Sequence, residues 1–142
     1  MNTLRIKNES SWPLSRATDG AIGYDLRACI ETERYIQPGQ RWKIDTGIRI
    51  SLPPGMGALV QPRSGMALHH GVICATGVID RDYRGRIAAV LINYSTESFK
   101  VNPGDRIAQL VPILVPDGLE VLEVEELDDT ERGESGFGST GR

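Results

Sequence analysis

The sequence predicts an all-β protein built as a sandwich or a barrel, with one short helix. Runs of β-branched or alternating apolar residues recur along the chain. Turn signals such as Pro-Gly, Asn-Pro-Gly and Asp-Gly separate these runs every ~8–12 residues. The 142 residues include 16 glycines and 8 prolines, which fit many short strands joined by turns and disfavour a bundle of helices.

Five segments carry the strand signal. The first, 41–50, alternates apolar and polar residues, and its inward face is predicted to hold Trp42, Ile44, Ile48 and Ile50. The other four are rich in β-branched residues and cover 57–62, 86–95, 106–115 and 119–127. A further early strand is expected around Asp25, behind Gly23, although a lone aspartate there is a weak signal for function.

The segment 64–71 interrupts the strand pattern and predicts a short helix. Ser64 is the expected N-cap and Gly71 the expected end, with helix-compatible residues between them. Because Arg63 precedes this helix, a guanidinium, a hydroxyl and free backbone amides meet at one point, which is a natural anion site. A capped surface helix without a ligand explains the same residues and stays open as the alternative.

Composition and charge disfavour several classes of protein. A net charge of −3 and a pI near 5.4 argue against a general nucleic-acid binder. The acidity is concentrated at 117–134, where nine acidic residues face one arginine, while 1–116 are mildly basic. No apolar run approaches the ~20 residues of a membrane helix, and the N-terminus lacks the apolar region of a signal peptide.

The two cysteines, Cys29 and Cys74, are too few for a disulfide framework. We therefore expect the reducing cytoplasm, or a host's cytoplasm if the protein is viral. Zinc held by His69, His70 and Cys74 is disfavoured, because adjacent histidines point in different directions and no second pair of ligands exists.

The densest group of charged side chains lies at 77–87, between two apolar runs. The pattern predicts two strands joined by a turn at 82–85, and a charged hairpin tip without a function is the alternative. If residues 80 and 83 point into a pocket, Asp80 is a candidate general base that orients or deprotonates a water molecule. Tyr83 is a candidate for packing on a sugar face and excluding a 2′-hydroxyl.

Two further segments can contact an anion. Gln109 lies in an apolar strand, where an amide usually satisfies a backbone group but can also donate to a phosphate oxygen. The Gly/Ser-rich tail at 133–142 follows Arg132 and contains the lone aromatic Phe137. Such a terminus is usually disordered, yet its amides can wrap phosphate oxygens and its ring can stack on a planar ligand. Without any pattern for covalent catalysis, these features suit water attack on a nucleoside polyphosphate.

Five segments, in order, resemble the five motifs of the trimeric dUTP diphosphatase (dUTPase) family. They read AIGYDLRA (21–28), PRSGMALHHGV (62–72), GVIDRDYRG (77–85), PGDRIAQLV (103–111) and RGESGFGSTGR (132–142). Each motif alone is modest, but the set covers nearly the whole chain and is specific. The resemblance implies a jelly-roll-like homotrimer, with a β domain at 1–128 and a flexible C-terminal arm at 129–142 that closes over active sites shared between subunits.

The implied reaction is hydrolysis of dUTP to dUMP and pyrophosphate, by Mg²⁺-assisted in-line attack of water on the α-phosphate. This reaction limits uracil incorporation into DNA and supplies dUMP for thymidylate synthesis. Asp80 matches the residue that activates water, Tyr83 the ring on the deoxyribose, and Asp25 the carboxylate that holds Mg²⁺ through water. Uracil is expected to be read mainly by hairpin backbone between residues 71 and 80. The other implied substrate contacts are Arg63, Ser64, Gly65, Gly77, Val78, Ile79, Gln109, Arg132, Phe137, Gly138, Ser139 and Thr140.

Two alternatives stay open. A dCTP deaminase shares the fold, but it needs a carboxylate against the pyrimidine, and the strand after Arg86 contains none. A non-catalytic regulatory β-trimer is disfavoured because Asp80, Tyr83 and the tail are all present. The expected partners are dUTP and further copies of the chain, with no nucleic acid and no membrane.

Overall fold

The computed structural model describes residues 3–139 and 141. Short strands dominate the described residues, and one helix, α1, spans Ser64–His70. The strands are β1 (Arg5–Asn8), β2 (Tyr24–Arg27), β3 (Arg34–Ile36), β4 (Arg41–Asp45), β5 (Ile48–Ser51), β6 (Met56–Gln61), β7 (Val72–Cys74), β8 (Gly77–Ile79), β9 (Ala88–Asn93), β10 (Phe99–Val101) and β11 (Arg106–Leu114). The prediction of a mostly β protein with one short helix is therefore confirmed.

The strands form four antiparallel sheets. The largest has the order β2-β11-β6-β8, the second β4-β9-β7, and the pairs β1-β5 and β10-β3 complete the set. The barrel alternative is wrong for the described residues, because no sheet closes on itself. The outer strands of the largest sheet, β2 and β8, have only four and three residues and each pairs on one side.

The core between these sheets is aliphatic, as the low aromatic content requires. Its fully buried side chains include Leu26, Leu91 and Leu110, one from each of β2, β9 and β11. The buried amide of Asn93 donates to the carbonyls of Ile36 and Glu97, so this polar group is satisfied. Burial of each large aliphatic side chain stabilises the fold by about 1.5–3 kcal/mol, so this core supports the sheets that carry the site.

The segment predicted as one strand at 41–50 is two strands, and this prediction is corrected. Gly47 has φ of 70°, its amide donates to Asp45 Oδ1 at 2.7 Å, and the chain turns there from β4 into β5. The predicted inward residues Ile44, Ile48 and Ile50 are buried. Trp42 is exposed instead, and the Arg34 guanidinium lies 5.5 Å from the centroid of its ring.

The strand predicted at 119–127 is absent, although its apolar residues alternate with glutamates. Its Leu and Val side chains are exposed, with Val121 92% exposed, because no strand of the described chain lies alongside to pair with it. The segment has the composition of a strand but no pairing partner among residues 3–139 and 141.

The hairpin predicted around residue 80 is also corrected. β8 pairs with β6, whereas β7 and β9 pair with each other, so the chain changes sheets on both sides of β8. The turn after β8 is closed by the Tyr83 amide, which donates to the Asp80 carbonyl at 3.1 Å, two residues earlier than expected. Among the described residues, no helix is long and apolar enough to cross a membrane.

Candidate functional site

A cluster of charged and amide side chains forms at one end of the largest sheet. Gln109 on β11 lies directly opposite Asp25 on β2 and Gln61 on β6, so three neighbouring strands present polar residues at the same level. Arg63, two residues beyond β6, makes a short ion pair with the Asp25 carboxylate through Nη1. The Asp25 side chain is only 12% exposed, and Arg106 Nη1 lies 3.9 Å from its other oxygen.

Gly23 allows Gln109 to reach this cluster. The Gln109 side chain packs over the bare Cα of Gly23, where a Cβ would lie 2.5 Å from Oε1. The Gln109 amide donates from Nε2 to the Pro62 carbonyl at 3.0 Å, one residue before Arg63. This bond holds the loop between β6 and α1 against β11, and it leaves Oε1 on the side of Gly23.

The helix α1 begins at Ser64 rather than after it, which corrects the predicted N-cap. Arg63 occupies the cap position with an extended backbone (φ −103°, ψ 129°) and makes no side-chain cap hydrogen bond. Ser64 is exposed, as is Gly65, where a Cβ would meet no atom within 4 Å. The predicted end at Gly71 is confirmed, because this residue is left-handed (φ 62°) and donates to the Ala67 carbonyl. Space for a ligand is therefore present beside Arg63.

A second group lines a separate cleft of about 280 Å³ at the far end of β8. Asp80 and Tyr83 share this cleft with Val78 and Ile79, as predicted for a pocket at this turn. Lys43 of β4 faces the same space and was not anticipated. Of the predicted backbone contacts, Gly77 lies at the opposite end of β8, level with Val60.

The ring of Tyr83 has a defined orientation although it is 43% exposed. Its hydroxyl donates to the Arg86 carbonyl at 3.0 Å. The ring lies on the bare Cα of Gly85, where a Cβ would be 2.2 Å from the hydroxyl oxygen. The Tyr83 ring therefore forms one edge of the cleft, and Gly85 packs against the ring.

The two groups are far apart within one chain. Asp80 follows Ile79, which lies opposite Ala58, whereas Asp25 is level with Gln61. Three strand spacings and four residues along β6 therefore separate Asp80 from Asp25, and typical sheet dimensions make this roughly 19 Å. One phosphate group cannot touch both, so a single chain presents two half-sites.

The predicted C-terminal contacts extend into solvent. Arg132 Nε donates to the Ser135 carbonyl at 2.9 Å, which closes a local turn. Phe137 is fully exposed, and its φ of 51° is one that non-glycine residues rarely adopt. Gly138 and Ser139 are also exposed, and Thr140 lies outside the described residues. The described C-terminal residues therefore do not contact either half-site in the structure.

No group of three or more His, Cys, Asp or Glu side chains in residues 3–139 and 141 is arranged to hold a metal ion. The zinc alternative therefore gains no support, and Cys74 is buried with its thiol pKa raised by desolvation. The lone carboxylate of Asp25, flanked by two arginines, fits a metal that arrives with an anionic ligand and contacts the protein through water.

Sequence reasoning missed Arg106 and Lys43. Arg106 occurs within the fourth motif, three residues before Gln109, but only the pairing of β11 with β2 shows that it approaches Asp25. Lys43 lies on β4, in another sheet and far from any motif, so nothing in the local sequence connects it to Asp80.

An antiparallel β protein with an arginine–carboxylate–amide cluster and a carboxylate–tyrosine cleft has the groups that bind an anionic ligand and that can activate a water molecule. Among proteins with such groups, the family is defined by comparison. The dUTPase family model matches residues 11–141, and the chain belongs to the dUTPase family.

Relatives and solved structures agree with this assignment. The chain is 52% identical over 98% of its length to a deoxyuridine 5′-triphosphate nucleotidohydrolase of Syntrophotalea carbinolica, covering 97% of that protein. It is 45% identical over 96% of its length to the protein of that name from Zymomonas mobilis, covering 94% of it. A dUTPase variant of Staphylococcus bacteriophage 80alpha, solved with dUpNHpp, has a TM-score of 0.91 at 27% identity, with 100% of both chains covered.

Proposed function

We propose that this protein hydrolyses dUTP to dUMP and pyrophosphate. The observation that carries the proposal is the presence of an Asp80–Tyr83 cleft in a chain that matches named dUTP hydrolases over nearly its full length. A carboxylate beside a sugar-sized cleft suits in-line attack of water on the α-phosphate, with the nucleoside held below it. This activity removes dUTP from the DNA precursor pool and yields dUMP for thymidylate synthesis.

Each half-site has its own role in this reaction. Asp80 orients and deprotonates the attacking water, and the Tyr83 face packs on the deoxyribose where a 2′-hydroxyl would collide. Backbone groups of residues 77–79 read the uracil. On the other half-site, Arg63, Ser64 and Gly65 bind the phosphates together with Gln109, whose amide must leave the Pro62 carbonyl or share it.

The roughly 19 Å between the half-sites supports a site built from more than one copy of the chain. We propose the homotrimer, with Asp80 of one subunit meeting Asp25 and Arg63 of another, in a jelly-roll-like arrangement. The exposed apolar residues of 119–127 add support, because a strip of this kind is normally covered in an assembly. Closed rings with unlike surfaces in contact are a common solution for such interfaces.

Asp25 is the residue that would hold a Mg²⁺ through water, and the ion would neutralise charge on the phosphates as they separate. Its ion pair with Arg63 keeps the carboxylate in place before substrate binds. We further propose that residues 129–142 form an arm distinct from the 1–128 domain, which closes on the bound nucleotide. Arg132 would pair with the terminal phosphate, Phe137 would stack on uracil, and residues 138–140 would wrap the phosphates.

Pyrophosphate release from dUTP, dCTP, dTTP and UTP in Mg²⁺ tests the activity. We expect turnover of dUTP to exceed that of the other three nucleotides by a wide margin; equal turnover of all four would refute the proposal, and ammonia release from dCTP would indicate the deaminase instead. Asp80→Asn is expected to lower kcat by ~10²–10⁴ with nucleotide binding retained, as is usual for a general base. Deletion of 132–142 is expected to abolish turnover while the assembly, measured by sedimentation, stays intact.

A further inference from the structure

The N-terminal strand ends at a carboxylate that none of the five motifs includes. Glu9 follows β1, its side chain is 21% exposed, and it is surrounded by three cationic groups. Arg86 approaches Oε2 with Nε at 2.6 Å and Nη2 at 2.5 Å. On Oε1, Arg49 Nε and Lys7 Nζ lie at 3.2 Å each. The Arg86 guanidinium, chiefly, lowers the pKa of Glu9 to about 2, so the carboxylate stays ionised at any physiological pH.

Arg49 and Arg86 both connect Glu9 to the backbone around Tyr83. Arg49 donates from Nη1 to the Arg84 carbonyl at 2.9 Å, directly after the tyrosine. Arg86 provides the carbonyl that accepts the Tyr83 hydroxyl at 3.0 Å, and its side chain is fixed by Glu9 and by Asp45 Oδ2 at 3.2 Å. The loop that carries Tyr83 is therefore attached at two points to one carboxylate, 74 residues away in sequence.

We propose that Glu9 is a positioning residue for sugar specificity, which holds the Tyr83 ring through Arg86 and Arg49 at the height that admits deoxyribose and excludes ribose. This inference rests on the proposed function. The Tyr83 ring rests on Gly85 and its hydroxyl is bonded to the Arg86 carbonyl, and steric exclusion of one hydroxyl requires that the ring keeps this position. Charge-assisted hydrogen bonds are about twice as strong as neutral ones, and the two contacts from Arg86, at 2.6 and 2.5 Å, are the short ones in this group.

The test compares kcat/KM for dUTP and UTP in Glu9→Gln and in wild type. Glu9→Gln keeps the shape but removes the charge, and we expect the preference for dUTP over UTP to fall about tenfold, equivalent to about 1.4 kcal/mol. Glu33→Gln is the matched control, because the pair between Glu33, which directly precedes β3, and Lys100 of β10 is another surface ion pair (3.0 Å), outside this network. The control is expected to keep the wild-type preference.

A double-mutant cycle separates positioning from a general structural role. In an Arg86→Met background, the Glu9→Gln change is expected to add clearly less than its tenfold effect in wild type, because the Arg86 interaction is already lost and only the Arg49 attachment remains to be weakened. An unchanged preference in Glu9→Gln, an equal loss for both nucleotides, or a full additional effect in the Arg86→Met background would each overturn the proposal. If Glu9→Gln does not fold, Arg49→Met interrupts the second attachment, and an unchanged preference there has the same meaning.

Hydrogen exchange distinguishes failure of this proposal from failure of the proposed function. Amides of 81–87 are expected to exchange about tenfold faster in Glu9→Gln than in wild type, with no change in Glu33→Gln. This measurement needs no substrate. A wild type without preference for dUTP would refute the function while leaving the loop attachment testable, and unchanged exchange would refute the attachment itself.

Discussion

Replacing Gly23 by alanine places one methyl group where the Gln109 side chain now lies. The new Cβ would be 2.5 Å from Oε1 and 3.1 Å from the Gln109 Cβ, whereas ordinary contact begins at 3.4 Å. The amide must therefore retreat by about 0.9 Å, and the near contact with its own Cβ prevents a simple rotation. Because the backbone of Gly23 does not need a positive φ, the perturbation acts on Gln109 alone.

The expected cost follows from that displacement. Loss of the bond from Gln109 Nε2 to the Pro62 carbonyl destabilises the fold by about 0.5–1.5 kcal/mol, which lowers Tm by about 2–5 °C in a domain of this size. Displacement of a phosphate-binding group by about 1 Å lowers kcat/KM for dUTP by up to ~10²-fold. We thus expect a large fall in kcat/KM in a protein whose Tm is lowered by only a few degrees.

Pyrophosphate release and thermal unfolding, measured on the same preparations, check this expectation. Gly20→Ala is the matched control, since a Cβ there meets no atom within 4 Å and the residue lies only three positions earlier. Activity of Gly23→Ala within twofold of the control, in a folded protein, would refute the role given to Gln109 and to the close approach at Gly23.

Three further predictions follow from particular contacts. Gly85→Ala inserts a Cβ 2.2 Å from the Tyr83 hydroxyl, so the ring must move and UTP turnover should rise relative to dUTP; an unchanged nucleotide ratio would contradict the fit. Since Arg86 lowers the pKa of Glu9 from 4.5 to about 2, the folded form resists protonation more than the unfolded chain. The resulting stabilisation is present above pH 4.5 and lost as the pH falls toward 2, so the Tm values of wild type and Glu9→Gln should differ at pH 7 and converge near pH 2. Burial raises the pKa of the Cys74 thiol, so iodoacetamide at pH 8 should modify it at least ~10² times more slowly in the folded protein than in guanidinium; equal rates would show that the site opens freely.

Local patterns predicted the elements that depend on local chemistry. The end of α1 at Gly71 was predictable because a left-handed residue that stops a helix is almost always glycine. Burial of Ile44, Ile48 and Ile50 was predictable because alternation persists whether the segment is one strand or two. The predicted burial of Trp42 was wrong because alternation indicates a face of the strand but not how far along the strand that face is covered, and Trp42 is exposed.

Features that depend on non-local pairing could not be predicted. The sheet change on either side of β8 is decided by which strand pairs with which, and turn residues near 82–85 fit a hairpin equally well. The absence of a strand at 119–127 reflects a missing partner rather than a poor sequence. In the candidate site, the motifs identified Asp25, Arg63 and Gln109, but only the register of β2, β11 and β6 shows that they meet. Glu9, outside every motif, is recognisable only through its contacts.

The separation of the two half-sites across the largest sheet has a genetic consequence. Under the interface site proposed above, a chain lacking Asp80 and a chain lacking Arg63 are each inactive alone, yet each keeps the half-site that the other has lost. Any mixed ring of the two contains one junction where both intact halves face each other, so random mixing restores about a quarter of the sites. Two inactive alleles of this protein that are damaged in different half-sites would then complement when expressed together, whereas two alleles damaged in the same half-site would not.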